Sequence, residues 1–159
     1  MTPDDGRALS DPARSDLHET DFFAWTKAQA ALLRERVAAG EGGLDYDHLA
    51  EEVEGLGRSE RRACECYIKL VLEHLLKRDW VDTPEQMPHH RAEVRVFRIN
   101  LRGELTPSLR AELPSHLPRL YRDARGIVEA RLEETGHKVD LPVACPYTWA
   151  DVIGPQNAG

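Results

Sequence analysis

The stretch that decides the fold is SERRACECYIKLVLEHLLKRDWV, residues 59–81. Charged side chains recur every four residues along it and alternate in sign. They are Glu65, Lys69, Glu73 and Lys77. Most other positions are apolar, and a helix with so narrow a polar stripe must be covered on most sides. The pattern therefore predicts a central helix over residues 59–81, capped by Ser59, with its polar stripe facing water.

Helical periodicity also occurs before this stretch. A first helix is expected after Thr20, its predicted cap, and should end at Gly40. A second starts near Asp45, and the glycines at positions 55 and 57 predict a break or kink before the central helix.

The chain after the central helix also has a helical pattern. Residues 82–90 contain two prolines and are expected to form a loop. Residues 90–105 fit a helix or a strand, and helix is preferred because no second strand signal offers a partner. A short helix should open at Thr106 and a long one should cover residues 118–135, while Thr148 is expected to cap a last turn.

Length and composition indicate a single globular domain. The chain has 159 residues, of which 41% are hydrophobic and 31% charged, with a net charge of -7. We therefore expect an all-α domain over residues 17–153, an irregular bundle of five to six helices around the central helix. Residues 1–16 and 154–159 are expected to be flexible tails.

Several classes of protein are disfavoured. The acidic balance argues against binding to nucleic acid or to an anionic membrane. No apolar run approaches the ~20 residues of a membrane span, and the start lacks the pattern of a secretory signal. The cysteines at positions 64, 66 and 145 do not form a recognisable disulfide framework, so a cytoplasmic location is expected.

Several segments together resemble a bacterial family known only as a domain of unknown function, number twenty-nine in its series. They are Asp21-Phe22-Phe23-Ala24-Trp25, LAEEVEGLGRSERR from Leu49 to Arg62, LEHLLK from Leu72 to Lys77, Thr106-Pro107-Ser108-Leu109, and Cys145-Pro146-Tyr147. The resemblance implies a compact helical fold and a bacterial source. It brings no activity, cofactor or catalytic residue with it.

An acidic segment supplies the candidate metal ligands. His48, Glu51 and Glu54 share a helical face, and His74 lies at the margin of the central helix. A divalent ion could use a carboxylate and histidine pair at this spacing, and Glu51 and His74 are also candidate catalytic groups. The alternative is an ordinary solvated helix face, which the frequency of charged surface helices favours.

A basic segment supplies a candidate anion-binding face. Arg91, Arg95, Arg98 and Arg102 share one side of the predicted helix and could contact phosphates. Aromatic residues for stacking bases are almost absent nearby. Pairing with the acidic segment inside the chain is therefore preferred over nucleic acid.

Three functions remain open at this point. The leading hypothesis is a small interaction or adaptor protein with an unidentified protein partner. The alternative is a metal-dependent hydrolase-like enzyme, and the second alternative is nucleic-acid binding through the arginine face. No catalytic motif or cofactor motif is recognisable, so neither a substrate nor an oligomeric state is indicated.

Overall fold

The structure is a computed structural model that describes the backbone of residues 12–155 and the side chains of residues 16–155. Its secondary structure is helical, with no strand among the described residues, so the predicted all-α class is confirmed. The predicted flexible tails lie outside the described residues except for 12–16, which begin a helix, and 154–155. None of the helices in the described ranges is long and apolar enough to cross a membrane.

The helices follow one another along the chain in this order. They are α1 Pro12–Thr20, α2 Phe22–Ala38, α3 Tyr46–Leu76, α4 Met87–Glu104, α5 Pro107–Glu112, α6 Leu117–Glu134 and α7 Trp149–Ile153. A π-helical turn, Lys77–Val81, continues α3, and a 3-10 turn, Leu113–His116, joins α5 to α6. The helix assignment of the ambiguous segment, now α4, is confirmed.

Three predicted boundaries are wrong. The loop predicted over residues 82–90 ends earlier, since α4 begins at Met87. The predicted cap Thr20 ends α1, and the N-cap of α2 is Asp21, whose side chain accepts the Ala24 N–H at 3.0 Å. The break before Ser59 does not occur, because α3 is one uninterrupted helix. A Cβ at Gly57 would lie 2.3 Å from Thr26 Oγ1, so this glycine allows two helices to approach closely.

The chain forms two compact units. The described part of unit 1 consists of residues 12–58 and Thr106–Ser108, and that of unit 2 consists of Ser59–Leu105 and residues 109–155. Unit 1 therefore contains α1, α2 and the first part of α3, together with a segment that is distant in sequence.

A buried carboxylate connects the parts of unit 1. Asp21 Oδ2 accepts the Ser108 N–H at 2.7 Å, and Oδ1 accepts the Ser108 hydroxyl at 2.6 Å. Burial alone would raise the pKa of Asp21. The hydrogen bonds from Ser108, Ala24 and Thr106 outweigh it and lower the pKa below its ordinary value.

The core of unit 2 surrounds the second part of α3. Its buried apolar side chains come from α3, α4, α5, α6, α7 and the segments between them. They are Cys64, Ile68, Val71, Leu72, Leu75, Leu76, Val94, Leu101, Leu109, Leu113, Leu117, Leu120, Tyr121, Ala124, Val128, Leu132, Leu141, Val152 and Ile153. Burying a large apolar side chain contributes ~1.5–3 kcal/mol, so this core accounts for the central position of the helix.

The polar stripe of α3 does not face water as predicted. Glu73 is only 4% exposed and accepts a hydrogen bond from Arg131 Nη1 at 3.1 Å. Glu65 accepts from Arg119 at 2.6 Å and lies 3.0 Å from His116 Nδ1. The prediction is wrong because basic side chains on and before α6 pair with these carboxylates, which allows the stripe to be covered.

Replacing Gly57 by alanine should destabilise the protein. Alanine is the better helix former by roughly 1 kcal/mol, but overpacking against Thr26 costs about 1–3 kcal/mol. We expect the free energy of unfolding, measured with urea, to fall by up to about 2 kcal/mol. Gly55→Ala is the matched control, since its Cβ would meet Arg58 at an ordinary 3.5 Å, and it should be neutral or stabilising.

Replacing Asp21 by alanine should lower the free energy of unfolding by about 2–3 kcal/mol at pH 7, because a helix cap and charge-assisted hydrogen bonds are lost. Since the folded pKa is depressed, this stabilisation is present above the unfolded pKa and is lost as the pH falls through the folded pKa. The difference between wild type and variant should therefore shrink below about pH 4. Asp47→Ala, which removes an exposed carboxylate, should change the free energy of unfolding by less than about 0.5 kcal/mol.

Candidate metal centre

Three potential metal ligands meet in unit 2. His74 lies in the last turn of α3, His90 in the first turn of α4, and Glu93 one turn later on the same face of α4. One ligand atom from each lies within 4.8 Å of the other two, and the described residues hold no other such group of three or more His, Cys, Asp or Glu side chains. A tetrahedral ion with ligand bonds of ~2.0–2.2 Å needs its ligand atoms roughly 3.4 Å apart, so small side-chain movements would complete the site.

The hydrogen bonds of His74 leave one nitrogen for an ion. Its Nδ1 donates to the carbonyl oxygen of Leu70 at 2.8 Å, which places the lone pair of a neutral ring on Nε2. That Nε2 lies 2.8 Å from Glu93 Oε2, which is also an acceptor. Two acceptors at this distance require a proton or a cation between them, and a metal ion is one such cation.

His90 is oriented by a carboxylate. Its Nδ1 donates to Asp82 Oδ2, and the Asp82 side chain is only 2% exposed. Asp82 follows the π-helical turn directly, and its N–H donates to the carbonyl oxygen of Lys77 at 2.8 Å. A carboxylate that holds one histidine nitrogen leaves the other free as a ligand, an arrangement common around metal ions.

The surroundings of the cluster enclose it on one side and leave it open on another. The His74 ring packs against Phe97 with a centroid distance of 5.1 Å, and its side chain is 9% exposed. The Glu93 side chain is 35% exposed, and His89 Nε2 lies 3.4 Å from its Oε1. An ion held here would therefore be reached from the Glu93 side.

A cleft of about 200 Å³ adjoins the cluster, since His90 and Asp82 also line it. Lys77 and Arg131 contribute positive charge to its wall. Burial lowers the pKa of Lys77, and the nearby Arg131 lowers it further. Arg131 pairs with Glu73, whereas Lys77 has no ion-pair partner within 4 Å among the described residues, so an anionic group in the cleft would stabilise the charged form of Lys77.

The candidate ligands in the acidic segment do not belong to this cluster. His48 is exposed, and its Nδ1 donates to Asp45 at 2.6 Å. Glu54 pairs with Arg34 and with Arg58, while Glu51 is exposed. These three residues lie near the start of α3, whereas His74 lies at its end. Of the four predicted ligands, only His74 belongs to the cluster.

The arginine candidates divide into two pairs. Arg91 and Arg95 are exposed. Arg98 donates from Nε to the Val152 carbonyl at 3.1 Å, and Arg102 donates from Nη1 to the Ile153 carbonyl at 3.2 Å. Two of the four guanidinium groups therefore bind backbone at the end of α7.

The sequence did contain a signal for the two residues that were missed. His90 and Glu93 are three apart, which puts both on one side of a helix once the segment is assigned as helical. The predicted role of this segment rests on its arginines alone. Periodicity could not show that the end of α3 lies beside this turn of α4.

Comparison with known proteins identifies a family. The model of the domain of unknown function DUF29 matches residues 17–156. The comparison with curated proteins finds no match. A solved structure, an alpha-helical protein of unknown function (rru_a3208) from Rhodospirillum rubrum, has 23% sequence identity and a TM-score of 0.69, with 86% of this chain and 88% of that chain covered. This similarity shows the helical fold.

Proposed function

We propose that this chain, which belongs to the family of the domain of unknown function DUF29, is a metal-dependent hydrolase whose ion is held by His74, His90 and Glu93. The observation that carries the proposal is the 2.8 Å contact between His74 Nε2 and Glu93 Oε2, while Nδ1 is committed to Leu70. A cation bound between these atoms satisfies both.

The ligand set supports a divalent transition-metal ion. Two imidazoles and one carboxylate are a known ligand set for catalytic zinc, and the same combination also binds iron. Three protein ligands leave a position for water, and a bound zinc ion lowers the pKa of that water to about 7. The partial exposure of Glu93 gives water a route to the site.

The adjoining cleft supports an anionic substrate. Lys77 has no ion-pair partner within 4 Å among the described residues, and its side chain is partly buried beside His90 and Asp82. A substrate phosphate or carboxylate bound by Lys77 and Arg131 would place its reacting group next to the metal ligands. The protein chain thus supplies binding, orientation and a histidine fixed by a carboxylate.

We further propose that the protein is bacterial and cytoplasmic. Cys64, Cys66 and Cys145 are all free thiols, as is usual in a reducing compartment. The similar solved structure comes from a bacterium.

Metal titration tests the proposal. Protein freed of metal on a chelating resin should bind one equivalent of Zn²⁺ by calorimetry, and Co²⁺ should give the visible absorption of a tetrahedral ion. His90→Ala and Glu93→Gln should abolish binding or weaken it strongly. Asp82→Asn should lower the affinity about 10–100-fold, because it removes the carboxylate that orients His90.

His48→Ala is the matched control, because His48 also binds a carboxylate but lies outside the cluster. It should bind zinc as the wild type does. Circular dichroism melts would show that each variant is folded. Absence of zinc and cobalt binding by the folded wild type, or equal loss in His48→Ala, would contradict the metal site. Zinc binding without hydrolysis of chromogenic phosphate and carboxylate esters would contradict the enzymatic part only.

The adaptor function is a second candidate, supported by exposed apolar side chains in unit 1. Leu49 and Leu56 are 41% and 52% exposed and lie two turns apart on α3, with Val53 between them. Such a stripe suits the apolar face of a partner helix.

The wild-type protein should recover a stoichiometric protein partner from a bacterial lysate. A variant in which Leu49 and Leu56 are both replaced by lysine should no longer bind that partner. Val143→Lys, at an 81% exposed position in unit 2, is the control and should keep the partner. A partner retained equally by the double variant would exclude this surface.

A further inference from the structure

A cleft in unit 2 is lined by arginine side chains and lies apart from the cluster of histidines. Its volume is about 300 Å³, and its lining consists of Arg95, Arg98, Arg102 and Pro155. The arginines are spaced three and four apart on α4, so they share one face of the helix. No carboxylate is among the described residues of this lining.

Two of the arginines are held in place by the end of α7. Arg98 donates to the carbonyl oxygens of Asp151 and Val152, and Arg102 donates from Nη1 to those of Ile153 and Pro155 at 3.2 and 3.3 Å. These carbonyls have no partner within the short helix itself, so guanidinium groups are suitable donors to them. A guanidinium carries five N–H donors, and these contacts leave others available on each arginine.

The opposite end of α7 is also fixed. Thr148 and Asp151 form a capping box, with the Asp151 N–H donating to Thr148 Oγ1 at 3.2 Å and the Thr148 N–H donating to Asp151 Oδ2 at 2.8 Å. The carbonyls that hold Arg98 and Arg102 therefore belong to a well-defined turn. Arginines oriented in advance lose less entropy when they bind a ligand.

The arginines of this cleft have no carboxylate within ion-pair distance among the described residues, and the Asp151 carboxylate offsets only part of the repulsion that lowers the pKa of Arg98. None of its three arginines forms an ion pair among the described residues, whereas Arg34, Arg61 and Arg131 each pair with a glutamate. Burial lowers the pKa of Arg98, and the neighbouring Arg78 and Arg102 lower it further through repulsion. In a chain with a net charge of -7, such a concentration of unpaired positive charge favours an anionic ligand.

We propose that the cleft formed by Arg95, Arg98 and Arg102 binds a compact phosphate-class anion, such as the diphosphate group of a small molecule. Planar guanidinium groups match phosphate oxygens in bidentate geometry. A single-stranded nucleic acid is the less suitable source of the phosphate, because the described residues that line the cleft include no aromatic side chain that could stack a base. The inference is independent of the proposed metal centre and hydrolase activity.

Pyrophosphate binding to the full chain tests this inference. Protein freed of metal on a chelating resin should bind one equivalent of pyrophosphate saturably at low salt, measured by calorimetry. Arg95→Gln should weaken binding roughly tenfold or more, since a charge-assisted contact is lost. Arg95 is the informative position because it is exposed and, unlike Arg98 and Arg102, has no backbone contact to lose.

Arg91→Gln is the matched control, since it removes the same charge from an exposed position of α4 outside the cleft. Its pyrophosphate affinity should stay within about twofold of wild type, because exposed charges contribute little at a distance. Absence of saturable binding by wild type, or equal weakening by Arg91→Gln, would overturn the assignment.

A second measurement with a single-stranded oligonucleotide distinguishes a compact anion from nucleic acid as the source of the phosphate. If the oligonucleotide binds, depends on Arg95 and resists competition by pyrophosphate, the assignment to a compact anion is wrong. Displacement of the oligonucleotide by equimolar pyrophosphate supports it.

Discussion

The carboxylates of Glu65 and Glu73 lie on the part of α3 that the core of unit 2 surrounds, Glu73 is itself buried, and packing around both depends on pairing them. An ionised carboxylate removed from water without a partner costs several kcal/mol. Arg131 and Arg119 of α6, with His116 directly before it, meet these two groups. The ion pairs thereby favour an α6 position in which its apolar side chains complete the core while its basic side chains cover the polar stripe.

The same burial explains the chemistry available at His74. This residue follows Glu73 on a buried turn, so both ring nitrogens must find polar partners. Leu70 satisfies one through the preceding turn of the same helix, and Glu93 of α4 faces the other. His90 joins them with its own buried carboxylate, Asp82. Polar groups that the core must accommodate are thus concentrated at the place where a metal ion could bind.

Local patterns in the sequence predicted the helices well and their ends less well. The capping box at Thr148 and the helical state of α4 are confirmed. Gly57 was interpreted as a helix break because glycine is a poor helix former, yet it lies inside α3 beside Thr26. The close approach of a second helix decides its role, and that approach has no signature in the sequence around it. For the proposed site, His74 was among the candidates named from the sequence, whereas His90 and Glu93 were not.

The amino-acid sequence by itself determined the all-α class and the burial of the second part of α3. Both follow from the spacing of apolar residues along one segment, which is a local property. The tertiary structure alone decided which charged residues are buried and which histidines meet. Periodicity shows that a face of a helix is polar. The residues that pair with Glu73 and His74 come from other helices, and the positions of those helices follow only from the packing of the whole unit.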